Sequence, residues 1–236
     1  MHKLGCTHIL ASTCCGSLRE DLAPGQFVLL DSFIDRTTKR AQTFHDQKSS
    51  NQSPEFGNVC HMAMHPSFCP ETRCVNLTYQ FTLALNLSIF HRKIIAKAAQ
   101  AIGQDIKETG TMLTIEGPRF SSRAESIMFR AWGADVLNMT TCPEVVLAKE
   151  LGISYAAIAM VTDYDCWRDD TQAVEAQDVM KVIAQNVDRV RKLFVEAVKA
   201  IGQEQWDDTI KANKVKFDSR HISILNCISV AGTGQK

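Results

Sequence analysis

The sequence has no excess of charge of either sign. Lys plus Arg and Asp plus Glu each number 26 in 236 residues, so nothing steers the whole chain toward nucleic acid or an anionic membrane. None of the nine cysteines forms a C-x-x-C pair, which removes the usual zinc spacing. Adjacent Cys14 and Cys15 are badly placed for a structural disulfide, and an odd set of thiols predicts reduced cysteines in the cytoplasm. The N-terminus lacks a basic stretch followed by an apolar run, so no secretory signal is read. The apolar run Phe81–Phe90 is too short to cross a bilayer as a helix. Asn76-Leu77-Thr78, Asn86-Leu87-Ser88 and Asn138-Met139-Thr140 match the glycosylation pattern, but such short patterns arise by chance and a cytoplasmic chain would not use them.

What is present suits one large α/β domain. The apolar fraction of 45% is ordinary for a globular protein. Strand-like and helix-like runs alternate. Thr7–Ala11, Gln26–Asp31, Thr111–Ile115, Asp135–Asn138 and Tyr155–Val161 read as strands, and Pro24-Gly25 marks a turn. Helices are predicted over 93–102 and 122–132, from Pro143 to Leu151, and from Ala176 to Ile201. Proline is favoured in a first helical turn. In the last helix Val179, Val182, Ile183, Val187, Val190, Leu193, Phe194, Ala197 and Val198 recur at three- and four-residue steps. Alternating strands and helices imply an α/β fold with a mixed, largely covered sheet flanked by helices.

The stretch most suggestive of chemistry is Thr162-Asp163-Tyr164-Asp165. It follows directly on an apolar run that reads as a strand buried on both faces. Ligands of α/β proteins bind at the carboxyl ends of strands, and a carboxyl group there can hold or protonate a nitrogen base. Taken alone, two such aspartates more often cap or turn the chain.

Three further blocks change that balance: Thr13-Cys14-Cys15-Gly16-Ser17-Leu18, Glu116-Gly117-Pro118-Arg119-Phe120-Ser121-Ser122-Arg123-Ala124-Glu125, and Asn138-Met139-Thr140-Thr141. In this order the four blocks resemble the trimeric purine nucleoside phosphorylase family, on its methylthioadenosine-cleaving branch, from about Gly5 to about Trp206. The resemblance implies a nucleoside phosphorylase-like fold and phosphorolysis of 5′-methylthioadenosine to adenine and 5-methylthioribose 1-phosphate in purine salvage. It implies inorganic phosphate as co-substrate with no cofactor, a homotrimer with sites at subunit borders, no nucleic-acid or membrane partner, and a cytoplasmic location with the nucleus as a second compartment.

Residue by residue, the resemblance makes Asp163 the general acid at N7 and Asp165 the acceptor of the exocyclic amino group. The 6-oxopurine enzymes carry asparagine where Asp163 stands, so a carboxylate acceptor favours adenine. Phe120 would flank the purine, and Ser121 matches a position that sets base preference. Asn138 and Met139 match residues at the sugar. Thr13 and Thr140 match phosphate-contacting threonines, and Cys14 could add its backbone N–H. Val174, Val179 and Met180 match the lining of the 5′-alkylthio pocket, and Ala176 falls at a position tied to substrate choice. His61 matches a histidine that reaches a neighbouring subunit's substrate. Two alternatives stay open: a 6-oxopurine nucleoside phosphorylase, and a catalytically dead splice variant that joins trimers.

Some segments depart from the family. Residues 1–214 read as one phosphorylase-like domain lacking its N-terminal strands. Those strands carry a glycine-threonine-glycine phosphate loop and an arginine-histidine pair in other members, so this form is expected to be poorly active or inactive alone. Gly232-Thr233-Gly234 lacks the strand-to-helix setting of a phosphate loop. Residues 47–58 read as a polar loop. Residues 74–92 read as an insert and 215–236 as a divergent tail. Both begin near a valine, Val75 and Val215, whose codon starts with the GT of a splice donor, so both are expected to be translated introns or the product of an alternative transcript. A transcript read across the two junctions tests this, and uninterrupted coding sequence in independent full-length messages would remove the idea.

Overall fold

The structure, a computed structural model, describes residues 1–45, 62–69, 94–169 and 175–214. The segments 47–58, 74–92 and 215–236, and the site candidates His61 and Val174, lie outside the described residues.

Seven strands form one mixed sheet in the order β3-β5-β6-β1-β7-β2-β4. In chain order they are β1 (His8–Ser17), β2 (Phe27–Leu29), β3 (Ser32–Arg36), β4 (Ile106–Lys107), β5 (Thr111–Ile115), β6 (Val136–Asn138) and β7 (Ser154–Asp163). The helices include α1 (Ile94–Ala101), α2 (Arg123–Ala131), α3 (Thr141–Glu150) and α4 (Ala176–Gly202). Strands β3, β5 and β6 run parallel to one another. Strands β1 and β7 are parallel to each other and antiparallel to their outer neighbours β6 and β2.

The core follows from side-chain alternation. Along β7 the odd residues Tyr155, Ala157, Ala159 and Val161 pack with Val145 and Ala148 of α3 on one face. The even residues Ala156, Ile158 and Met160 pack with Ile95 and Ala99 of α1 and Leu193 and Ala197 of α4 on the other. Every residue of β7 before Asp163 is buried, as a strand covered on both faces requires. On that second face Leu113, Leu137 and Phe129 of α2 form a separate cluster with Trp167.

Two sequence expectations change. β1 runs to Ser17, well past Ala11, because Ser12, Thr13 and Cys14 interrupt the apolar run without breaking backbone pairing to Ile158, Ala159 and Met160. β3 was not anticipated: Ser32-Phe33-Ile34-Asp35-Arg36 carries the polar and charged residues typical of an edge strand, and among the described residues it pairs only with β5. At the start of α3, Cys142 lies outside helical geometry (φ −96°, ψ 136°), so the regular turns begin at Pro143 as expected.

Candidate active site

The carboxyl ends of β1 and β7 create the acidic part of the site. Their parallel register pairs Cys15 with Val161 and then Gly16 with Asp163, leaving Thr162 as an extra residue. Such a bulge bends the strand and re-aims the next side chain. The Thr162 hydroxyl sits 3.1 Å from the carbonyl oxygen of Cys15 and 2.7 Å from Asp163 Oδ2. Asp163 Oδ1 accepts the backbone N–H of Asp165 at 2.8 Å. Both oxygens of Asp163 are therefore oriented from within the chain.

Asp165 follows at φ 51°, a left-handed conformation that aspartate tolerates better than most residues. It is buried, and Oδ2 makes no hydrogen bond of good geometry; nor do the hydroxyls of Ser121 and Ser126. Burial pushes the Asp165 carboxyl above its ordinary value, the Asp163 carboxylate adds to this, and the neighbouring Ser126 and Ser121 hydroxyls oppose it. The Trp167 indole donates to the carbonyl of Ser17 at 2.7 Å and is capped by the Arg130 guanidinium 3.5 Å from its ring centre, which pins the loop that carries Asp165.

A folded-state pKa raised above the unfolded value of 3.8 contributes stability that is fully present below that value and is lost as pH rises through the folded pKa. Asp165→Asn therefore melts at a higher temperature than the parent at about pH 7, and the gain disappears at about pH 3. Thermal scans at both pH values check this. An equal gain at both would trace the effect to something other than ionisation.

Gly16 lies against the two aspartates. A Cβ added there would stand 2.9 Å from Asp163 Oδ1 and 3.3 Å from Asp165 Cβ, so only glycine lets the carboxylate lie over β1. Gly16→Ala displaces Asp163 and lowers turnover by roughly tenfold, a moderate loss for a small misplacement. Unchanged kinetics would show that Asp163 can move without consequence.

A cluster of hydroxyls lies beside this pair, organised by Asn138 at the end of β6. Its Oδ1 accepts from the Thr114 hydroxyl at 2.9 Å and from the N–H groups of Thr140 and Thr141 at 3.3 and 3.4 Å. Its Nδ2 donates toward the hydroxyls of Thr13 (2.8 Å), Thr141 (2.7 Å) and Thr140 (3.3 Å). Thr13 and Thr140, 127 residues apart in sequence, meet at 3.0 Å. The Thr13 hydroxyl donates to the carbonyl oxygen of Cys14 at 3.1 Å, whereas the Thr140 hydroxyl, which accepts from the amide, keeps its own proton free to turn outward; Thr140 is exposed and Thr13 partly so. The cluster thus offers an anion the Thr140 donor directly, and the Thr13 donor once its hydroxyl rotates away from Cys14. The helix-start N–H groups do not, because Asn138 takes those of Thr140 and Thr141, the Thr114 hydroxyl takes that of Cys142 at 3.4 Å, and Pro143 has none.

Asn138 itself is buried, with its amide spent on these partners. It holds the threonines in place, a different task from the direct sugar contact that the resemblance implied. Cys14 is exposed at the same strand end, and partial desolvation together with the Asp163 carboxylate pushes its thiol up.

The segment Glu116–Ser121 forms another wall. Gly117 adopts φ 70°, and a Cβ there would fall 2.6 Å from Met139 Sδ, so the two turns touch. Phe120 is 45% exposed. The capping box of Ser122 and Glu125 at the start of α2 anchors the wall from behind. Arg119 pairs with Glu125 at 2.7 Å; together with the Ser122 N–H it holds that carboxyl down to about 2. At the start of α4, Ala176 and Met180 are exposed and Val179 is partly buried. None of the three belongs to an apolar cluster, so in the single chain the side expected to hold an alkylthio group is open.

Several contributing residues went unrecognised from sequence. Thr114 and Arg40 carry no periodic signal, and Thr162 betrays its role only through the bulge. Arg40 donates to four backbone carbonyl oxygens around the site.

A mixed sheet whose strand ends gather an aspartate pair, a ring of threonine hydroxyls and an exposed aromatic is built like a nucleoside phosphorylase. The chain belongs to the phosphorylase superfamily, whose sequence profile matches residues 1–199. Its relatives there include the S-methyl-5′-thioadenosine phosphorylases of Danio rerio, 50% identical over 89% of this chain, and of Drosophila melanogaster, 48% identical over the same share. The chain spans 67% and 65% of those proteins' lengths. Among solved structures it resembles methylthioadenosine phosphorylase from Schistosoma mansoni in complex with adenine. The TM-score is 0.79 at 40% identity, over 92% of this chain and 74% of that one. A mutant of the Schistosoma adenosine/methylthioadenosine phosphorylase in complex with methylthioadenosine gives a TM-score of 0.78 at 39% identity, over 92% and 72%.

Proposed function

We propose that this chain catalyses phosphorolysis of 5′-methylthioadenosine, releasing adenine and 5-methylthioribose 1-phosphate. The observation that carries this reading is the placing of the Asp163–Asp165 pair beside the clustered hydroxyls of Thr13 and Thr140, on a fold shared with methylthioadenosine phosphorylases. A phosphate oxygen held by Thr13 and Thr140 attacks C1′, and the C1′–N9 bond breaks toward the base. Asp163 supplies a proton to N7, so adenine leaves as a neutral molecule. The exocyclic amino group is a donor of the kind that Asp165 Oδ2 lacks. Phosphate is itself the nucleophile, so the reaction calls for no cofactor or metal, and Cys14 has no part in bond making.

Met139 is read at the ribose, and Phe120 and Ser121 at the base. Val174, Ala176, Val179 and Met180 are assigned to the 5′-alkylthio group, with His61 from a neighbouring subunit. The exposure of Phe120, Ala176 and Met180 supports a homotrimer in which a second copy closes the site, and sedimentation of the purified chain tests that assembly. The function is tested by adenine release from methylthioadenosine with and without phosphate, with inosine as comparison. Release that requires phosphate and is faster than with inosine is expected. Preference for inosine would favour the 6-oxopurine reading instead.

A further inference from the structure

We propose that Arg40 is a positioning residue that holds the two turns beside the sugar and phosphate positions, 115–117 and 139–142, in register. The inference rests on the phosphorolysis reading given above. Arg40 Nη1 donates to the carbonyl oxygens of Met139 (2.5 Å) and Cys142 (2.7 Å). Nη2 donates to those of Glu116 (2.7 Å) and Ile115 (3.3 Å), and Nε reaches Glu116 Oε1 at 3.4 Å.

The need for this side chain follows from topology. β5 and β6 are parallel neighbours whose pairing ends at Thr114 and Asn138. Beyond those residues the β5–β6 ladder stops, and the carbonyls there need donors from elsewhere. A guanidinium presents a planar fork of five N–H groups, whereas an ammonium is a single point with three. Only the former can bridge four carbonyls on two separate turns at once.

The segment that carries Arg40 is itself fastened. Glu116 Oε2 accepts the N–H groups of Thr38 (2.6 Å) and Lys39 (3.0 Å), so strap and turn clasp each other. Farther along, the buried Glu150 carboxylate accepts the Thr43 hydroxyl at 2.5 Å and the Phe44 N–H at 2.8 Å. The turns held by Arg40 meet where Gly117 faces Met139, and the second of them carries Thr140. A shift there moves Met139 and the Thr140 hydroxyl together. Asp163 is held separately by Thr162 and the Asp165 N–H, and Ser121 by the Cys166 thiol at 3.2 Å beside the α2 capping box. Arg40 therefore acts on the sugar and phosphate side and leaves the base side alone.

The test compares the full chain with Arg40→Met and Arg40→Lys. It measures kcat/KM for methylthioadenosine, KM for phosphate, and the dissociation constant of adenine. Arg40→Met is expected to lower kcat/KM by between about 10- and 10²-fold, the size of effect that misplaced contacts produce. Its phosphate KM rises, while adenine affinity stays within about threefold, too small a change for a lost binding contact. Arg40→Lys keeps the charge but not the fork and falls between the two. A parallel loss of adenine affinity would mean general unfolding of the site and overturns the inference, as does unchanged kcat/KM in Arg40→Met. Should Arg40→Met fail to fold, an Arg40→Lys chain with the parent's kcat/KM overturns it. A parent chain with no phosphate-dependent adenine release sinks the functional reading instead.

Discussion

Asp163→Asn lowers turnover of methylthioadenosine by about 10²–10⁴-fold, the usual contribution of a general acid, while the melting temperature stays near that of the parent. The surroundings explain why rate and stability separate. In the parent, the Thr162 hydroxyl approaches Asp163 Oδ2 and the Asp165 N–H donates to Oδ1. An asparagine can keep its carbonyl oxygen toward the Asp165 N–H. Its amide then faces Thr162, which accepts from it and donates to the Cys15 carbonyl already 3.1 Å away. No buried group loses a partner, so folding is nearly unaffected. The proton for N7 is gone, however, and the residual activity shifts toward 6-oxopurines, to which an amide can donate. Steady-state rates with methylthioadenosine and inosine, beside a thermal scan, check all three parts. An unchanged rate with methylthioadenosine would make Asp163 a structural residue.

Asn138→Asp is expected to weaken phosphate binding by about 10²–10⁴-fold, since hydrogen bonds to charged groups are worth roughly 1.5–3 kcal/mol each and two are lost. The substitution keeps the size and shape of the side chain and replaces its donor by an acceptor. The Thr13 and Thr140 hydroxyls, which now accept from Asn138 Nδ2, would donate to the new carboxylate and be withheld from phosphate. A negative charge would also stand behind the anion. Adenine affinity, which depends on the β7 end, is expected to stay near the parent's. Calorimetric titrations with phosphate and with adenine distinguish the two. Equal losses for both ligands would show that the cluster supports the entire site, and undiminished phosphate affinity would remove it from the phosphate reading.

These expectations draw on two kinds of information in the chain. Local pattern specified most of the elements. The run Tyr155–Val161 has to be a strand covered on both faces, because no other short element buries so many consecutive apolar residues. Ser122 and Glu125 specify a helix start through reciprocal bonds across one turn. The three- and four-residue spacing of Val190, Leu193, Phe194 and Ala197 specifies the buried stripe of α4. Such features are legible because burial and capping repeat at the period of the backbone itself. The position of Asp163 at a strand end was legible for the same reason.

What those residues do to one another was decided in three dimensions. The bulge at Thr162 exists only because β1 and β7 pair, and with the Asp165 N–H it directs Asp163 over Gly16. The meeting of Thr13 with Thr140 spans 127 residues, and the bonds from Arg40 to Met139 and Cys142 span 99 and 102. No periodicity links positions so far apart. A hydrogen bond depends on where two groups sit to within a fraction of an ångström, whereas a sequence pattern records only which face of an element a side chain occupies. Asn138 illustrates the difference: sequence marked it as part of the site, and only the packing of four threonines around its amide shows that it organises the donors.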